Sequence, residues 1–103
     1  MRTINYIVVH CSATREDRPF TVEALRAVHL SRGFSDIGYH YYIRRDGTVV
    51  RTRPLALAGA HVKGYNKYSI GICYEGGLDA RGCPKDTRTP EQVCPCFEVA
   101  TEL

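Results

Sequence analysis

The sequence predicts an α/β (α+β) fold in a single domain, and three stretches carry that expectation. Tyr6 to His10 is a run of strand-forming residues that gives way to the small polar Cys11-Ser12-Ala13-Thr14. Thr21 to Gly33 carries the start and stop signals of one helix. Arg45-Asp46-Gly47-Thr48 is a hairpin signal between two strand-like runs. A chain of 103 residues has room for one domain, and such a domain buries about two-thirds of the surface its unfolded form exposes.

In the opening strand, side chains alternate between faces. Ile4, Tyr6, Val8 and His10 share one face, and Asn5, Ile7, Val9 and Cys11 the other. The pattern reads as a buried strand whose apolar row ends in a rigidly held histidine. That position suits a metal ligand or a general base. A histidine simply hydrogen-bonded at a strand end is the plainer reading, and pattern alone leaves both open.

Arg15 to Pro19 is charged and turn-prone, a loop. In the helix, Thr21 is placed as the cap and Glu23 lies in the first turn. Phe20 and Leu25 occupy the positions of a hydrophobic staple. Val22, Leu25 and Val28 form the expected inward stripe. His29 lies in the last turn, where the helix dipole favours a cation, and reads as a helix-end or packing residue.

Tyr39 to Ile43 is an aromatic and β-branched strand, and Val49 to Thr52 is its return, ended by Pro54. Tyr39, Tyr41 and Ile43 face one way and His40 and Tyr42 the other, so the pattern leaves open which side is inside. Residues 55–66 form a small-residue loop holding His61 and Lys63 between glycines. Tyr68 to Tyr74 is a further strand, where Gly71 marks a close backbone approach, and Gly76-Gly77 ends it. A polar loop follows over residues 78–89. Thr89-Pro90-Glu91-Gln92 then opens a helix that Val93-Cys94-Pro95-Cys96-Phe97 interrupts at once.

A hydrophobic fraction of 44% and a charged fraction of 24% belong to an ordinary folded protein, so disorder is not expected. A net charge of +3 is too small to argue for nucleic acid, and the positive residues gather on no single stripe. It suits an anionic polymer such as a bacterial cell wall equally well. No apolar run approaches the roughly 20 residues of a membrane span, and no signal-peptide pattern opens the chain, which reads as cytoplasmic when made. Five cysteines, odd in number and unevenly spaced, point to a reducing compartment with thiols free or on a metal.

Set in order, the motifs resemble the zinc-dependent N-acetylmuramoyl-L-alanine amidases, the group of phage lysozyme-type amidases and peptidoglycan recognition proteins. The resemblance rests on Val9-His10-Cys11-Ser12-Ala13-Thr14, Arg32-Gly33-Phe34, Asp36-Ile37-Gly38-Tyr39-His40-Tyr41 and Arg45-Asp46-Gly47-Thr48. It continues through Gly59-Ala60-His61-Val62-Lys63-Gly64-Tyr65-Asn66, Ser69-Ile70-Gly71-Ile72, Gly76-Gly77 and Cys94-Pro95-Cys96-Phe97. The resemblance implies a mixed central β-sheet with flanking helices. It implies zinc (Zn2+) held by His10 and Cys94, Tyr39 as the catalytic tyrosine, and His61, Lys63 and Asn66 along a groove for peptidoglycan or muropeptide. The reaction implied is zinc-assisted hydrolysis of the amide between N-acetylmuramic acid and the L-alanine of the stem peptide, after release or export to the cell wall.

Blander readings stand beside these roles. Tyr39 fits sheet packing, Lys63 a solvated loop, Cys11 and Cys73 small buried hydrophobes, and Cys94 with Cys96 half a zinc knuckle. The chain also departs from the family pattern. Near 92/93 the family has a long helix, a further strand and the segment bearing the second zinc histidine, so this domain of residues 1–103 reads as truncated by an internal deletion. Gln92 stands where the family has a lysine or threonine two places before the metal cysteine. Three outcomes follow: weak amidase activity with the zinc site completed by His40, by His61 or by a residue of a second subunit; a catalytically impaired relative that only binds muropeptide; or a remnant that folds poorly. Sheet surface left uncovered favours self-association.

Overall fold

In chain order the strands are β1 (Tyr6–Cys11), β2 (Thr14–Arg15), β3 (Tyr41–Ile43), β4 (Val49–Arg51), β5 (Ser69–Tyr74) and β6 (Gly77–Leu78). Helix α1 (Val22–Ser31) lies between β2 and β3. The computed structural model describes residues 2–93. β1 and β3 both run parallel to β5, and β4 pairs antiparallel with β3, in the order β1-β5-β3-β4. The sheet is therefore mixed, as expected. The hairpin forms about Gly47, whose φ of +91° is the positive angle its turn requires.

The parallel register sorts the side chains into two layers. Ile70 and Ile72 join Tyr41 and Ile43 on one face, with Ile4, Leu55 and Tyr74 packed against them. On the other face Tyr42 and Cys73 meet Leu25 of α1 and Ile37, with Phe20, Val22 and Tyr39 at the margin. His10 pairs with Cys73 in the register, so it shares this second, helix-covered face.

Helix α1 begins as its sequence dictates. The Thr21 hydroxyl accepts from the Ala24 amide at 3.1 Å. Its inward stripe differs from the expected one: Leu25 and His29 are buried, whereas Val28 is 36% exposed. His29 sits where a cation was favoured, yet burial lowers its pKa, with Arg32 and Arg53 adding to the effect. Desolvation outweighs the dipole there.

Three further expectations are corrected. Among the described residues β1 is an edge strand rather than a buried one, and Tyr6, Ile7 and Val9 are exposed along it. Tyr39 and His40 lie outside β3, so Tyr39 breaks the strand alternation and joins the face of Tyr42 instead of that of Tyr41. Residues 14–15 and 77–78, expected as loop or strand end, pair as the short parallel ladder of β2 and β6.

Near the end of the described residues, Thr89 and Gln92 form a reciprocal cap. The Gln92 amide donates to the Thr89 hydroxyl at 3.2 Å, and the Thr89 amide donates to Gln92 Oε1 at 2.9 Å. Gln92 is fully buried, and its Nε2 donates to the carbonyls of Glu75 (2.9 Å) and Ile43 (3.3 Å). It ties the helix start to the ends of β3 and β5.

Glu75 is the main charged group inside, 1% exposed. Its carboxylate accepts from Arg44 Nε at 2.6 Å, the Arg45 amide at 3.1 Å and the Phe20 amide at 2.6 Å. Those bonds clip the segment leading into α1 onto the ends of β3 and β5. Glu75→Ala is expected to cost about 3 kcal/mol, because it strands a partly buried guanidinium and two amides together. Urea unfolding monitored by far-UV circular dichroism measures that loss.

Candidate active site

The site forms where β1 ends and the 55–66 loop folds back over β5. Gly71 lets it do so: a Cβ there would stand 2.9 Å from the His61 ring carbons Cγ and Cδ2. Gly38 is equally confined, since a Cβ would meet the Ala60 carbonyl oxygen at 2.1 Å. The loop is fixed by Asn66, whose Oδ1 accepts from the amides of His61 (2.8 Å) and Val62 (2.9 Å). Its carbonyl group therefore shapes the loop that carries His61.

His10 and His61 face one another, with Nε2 of the first 2.9 Å from Nδ1 of the second. Their rings are nearly perpendicular, with centroids 5.0 Å apart. The other nitrogen of His61, Nε2, lies 3.1 Å from Ser69 Oγ. The Tyr39 ring stands 5.2 Å from that of His10 and 6.3 Å from that of His61. Its hydroxyl pairs with the Cys73 thiol, and burial, with Cys73 adding to it, raises its pKa well above the ordinary tyrosine value. Tyr39 is thus a neutral hydrogen-bond donor across the physiological range.

A groove of about 350 Å³ opens beside this cluster, lined among others by Arg32, Phe34, Tyr39, His61, Lys63 and Asn66. Lys63 is exposed at its margin. A larger hollow of about 460 Å³ lies beside Glu16, Arg44 and Glu75 and contains no histidine. Four of the expected site residues, Tyr39, His61, Lys63 and Asn66, line the one groove, and His10 touches it through His61 and Tyr39. Cys94 lies outside the described residues.

Among the described residues no group of three or more His, Cys, Asp or Glu side chains comes together to hold a metal ion. Two imidazoles nevertheless converge, and both are kept neutral. Burial lowers the pKa of His10. Burial first, then His10, His40, Arg2 and Arg53, push His61 from 6.5 down to about 4. Two neutral imidazoles are donors of the type zinc takes.

The sequence pattern did not single out Ser69, nor the place of Cys73 under Tyr39. Neither carries a local signal, since both are brought in by strand register. His40, one of the possible zinc ligands, is fully buried and structural: its Nδ1 accepts from the Gly71 amide at 3.0 Å, and its Nε2 lies 2.8 Å from the Leu57 carbonyl.

The lowered histidine pKa values set a pH dependence. The unfolded chain takes up these protons near pH 6.5, whereas folded His61 resists protonation down to about 4. Acid therefore favours the unfolded state. Stability is complete above about pH 6.5 and drains as pH falls towards about 4. Calorimetry at stepped pH, with chelator present, is expected to show Tm falling through that window and His61→Gln flattening part of the fall.

The sequence matches the N-acetylmuramoyl-L-alanine amidase family over residues 1–103. It is 45% identical over 97 residues to an endolysin of Klebsiella phage KP32, covering 94% of this chain and 64% of the endolysin. It is 35% identical over 79 residues to peptidoglycan-recognition protein LE of Drosophila melanogaster, covering 71% of this chain and 23% of that protein. Among solved structures, N-acetylmuramoyl-L-alanine amidase LysC from Clostridium intestinale is similar at a TM-score of 0.84 and 33% identity, covering 98% of this chain and 62% of that one. The chain spans less than two thirds of the length of these relatives.

Proposed function

The chain belongs to the N-acetylmuramoyl-L-alanine amidase family, and on that premise we propose that it hydrolyses the amide joining N-acetylmuramic acid to the L-alanine of the peptidoglycan stem peptide. The observation that carries the reading is the meeting of His10, Tyr39 and His61 beside one groove. Bound zinc would supply Lewis-acid polarisation of the scissile carbonyl and a water acidic enough to attack at neutral pH. His10 and Cys94 would hold it.

The remaining work falls to the chain's own groups. Tyr39, kept protonated by burial, exchanges its Cys73 contact for a hydrogen bond to the oxygen that gains charge in the transition state. Asn66 holds the loop so that His61 stays against the groove. Lys63 presents an ammonium to the carboxylates of the stem peptide. α1, through Leu25 and His29, backs the wall that Tyr39 forms.

We read the chain's shorter length as an internal deletion at 92/93, after a helix start that Thr89 and Gln92 cap. Its place of action is the cell wall, in keeping with its similarity to phage endolysins. The exposed Ile7 and Val9 of edge strand β1 mark where self-association would form. The second reading, a muropeptide binder without catalysis, rests on the groove alone, which Tyr39, His61, Lys63 and Asn66 line.

Incubation with purified peptidoglycan separates the two. The amidase releases soluble stem peptide and stops when a chelator is added. A binder co-sediments with the wall, releases nothing and is indifferent to chelator.

A further inference from the structure

We propose that Arg2 is a positioning residue of the groove: its guanidinium clasps together the two ends of the 55–69 segment, which carries His61, Lys63 and Asn66. The inference rests on the amidase reading and goes further, naming what holds one wall of the groove in place. The acceptors come from both ends. At the start of the segment, Arg2 Nε donates to the Leu55 carbonyl at 3.0 Å. At its end, Arg2 Nη1 faces the carbonyls of Asn66 and Lys67, each at 3.2 Å, and of Ser69 at 3.0 Å. Asn66–Tyr68 is a short 3-10 turn, and a turn of that length leaves its last carbonyls without partners inside it. The remaining nitrogen, Nη2, abuts His40 at 3.2 Å, the imidazole that ties Leu57 to Gly71 beneath His61.

The arrangement suits a guanidinium, whose N–H donors lie in one rigid plane and keep their charge across the physiological range. An ammonium offers its N–H groups from a single atom, enough for one end of the segment but not for both. Other bonds secure the segment away from its base. Arg53 Nη1 donates to the Ala58 carbonyl at 2.7 Å, and Asn66 Oδ1 takes the His61 and Val62 amides. The clasp at the base decides how this wall stands against the other, which Arg32, Phe34 and Tyr39 form. Loosening the base lowers the fraction of molecules whose groove is formed and leaves the reacting groups intact once substrate is bound. Apparent affinity falls by that fraction, and the rate at saturation does not.

The test is a split between KM and kcat. Steady-state kinetics of Arg2→Gln on a soluble muropeptide are expected to show KM about 10-fold higher and kcat within about 2-fold, as for a groove formed a tenth of the time. Arg2→Lys is expected to fall between, with KM up by about 3-fold, because the ammonium reaches one end. Hydrogen exchange read by mass spectrometry is expected to run about 10-fold faster over residues 55–69 of Arg2→Gln and unchanged over α1. A residue that serves global stability alone would lower Tm and kcat and leave KM where it was. That result, or unchanged KM and segment exchange in a folded Arg2→Gln, overturns the proposal; should Arg2→Gln fail to fold, Arg2→Lys carries the same test. Exchange needs no turnover, so the clasp is decided even where no stem peptide is released and the amidase reading falls.

Discussion

His10→Ala is expected to lower the release of stem peptide from peptidoglycan by on the order of 10³-fold, since metal polarisation supplies several kcal/mol of transition-state stabilisation. The fold is expected to survive. His10 sits one residue from the end of β1, half-exposed, and the pairing of β1 with β5 runs through backbone groups the substitution leaves in place. A truncation there removes few packing contacts, so the change in unfolding free energy is expected to stay within about 1 kcal/mol. Binding to the wall is expected to persist, because the groove is lined by residues of α1, the 32–39 segment and the 60–66 loop rather than by His10. Initial rates on purified peptidoglycan, read beside Tm and co-sedimentation, check all three. A loss of activity together with a loss of fold would say nothing about the metal, and the Tm measurement distinguishes the cases.

Tyr39→Phe removes one oxygen and leaves the ring where it packs against His10 and His29. The kcat is expected to fall by about 10²–10³-fold, the usual cost of losing one donor to a developing oxyanion. KM is expected to change little, because the hydroxyl acts in the transition state and the groove walls remain. The sign of its pKa shift matters too. Burial and Cys73 raise the Tyr39 pKa, so its proton stays in place as pH rises through the range in which the histidines are neutral. Activity is therefore not expected to decline from tyrosine ionisation below about pH 10. Steady-state kinetics on a soluble muropeptide separate kcat from KM. An equal fall in the Phe variant's affinity with unchanged kcat would place the hydroxyl in binding instead.

Much of the fold is legible because its signals are local. The Thr21 cap, the Asp46-Gly47 turn and the Thr89–Gln92 pair each involve atoms within a few residues of one another. What is not legible depends on register. Nothing between Tyr6 and Cys11 says that β1 is an edge, because strand order is decided by which distant run pairs with which. Two-residue β2 and β6 have too few residues for a period to show. Tyr39 misled the alternation for a related reason: the strand begins two residues later, after a bend at His40, and Tyr39 packs on the opposite face.

The site divides in the same way. His10 stands out from pattern alone as the polar end of an apolar run, whereas Tyr39, His61, Lys63 and Asn66 come from resemblance. Asn66 then proves to do its bonding within the loop, through the His61 and Val62 amides. Ser69 and Cys73 reach the cluster only because β5 lies beside β1, with Cys73 opposite His10. His29 and Gln92 illustrate the converse case. Each is a polar residue buried against backbone, where its hydrogen bonds serve the fold, which for His29 is the packing role its place at the helix end suggested.

The bond that is cut tests the whole account most directly. A defined substrate, N-acetylmuramic acid carrying L-alanine and the rest of the stem, is digested and the products are weighed by mass spectrometry. The account predicts a muramic acid that keeps its free lactyl carboxylate and a peptide that begins with a free L-alanine amine. Cleavage between sugars, cleavage between two amino acids of the stem, or recovery of the intact substrate would contradict it.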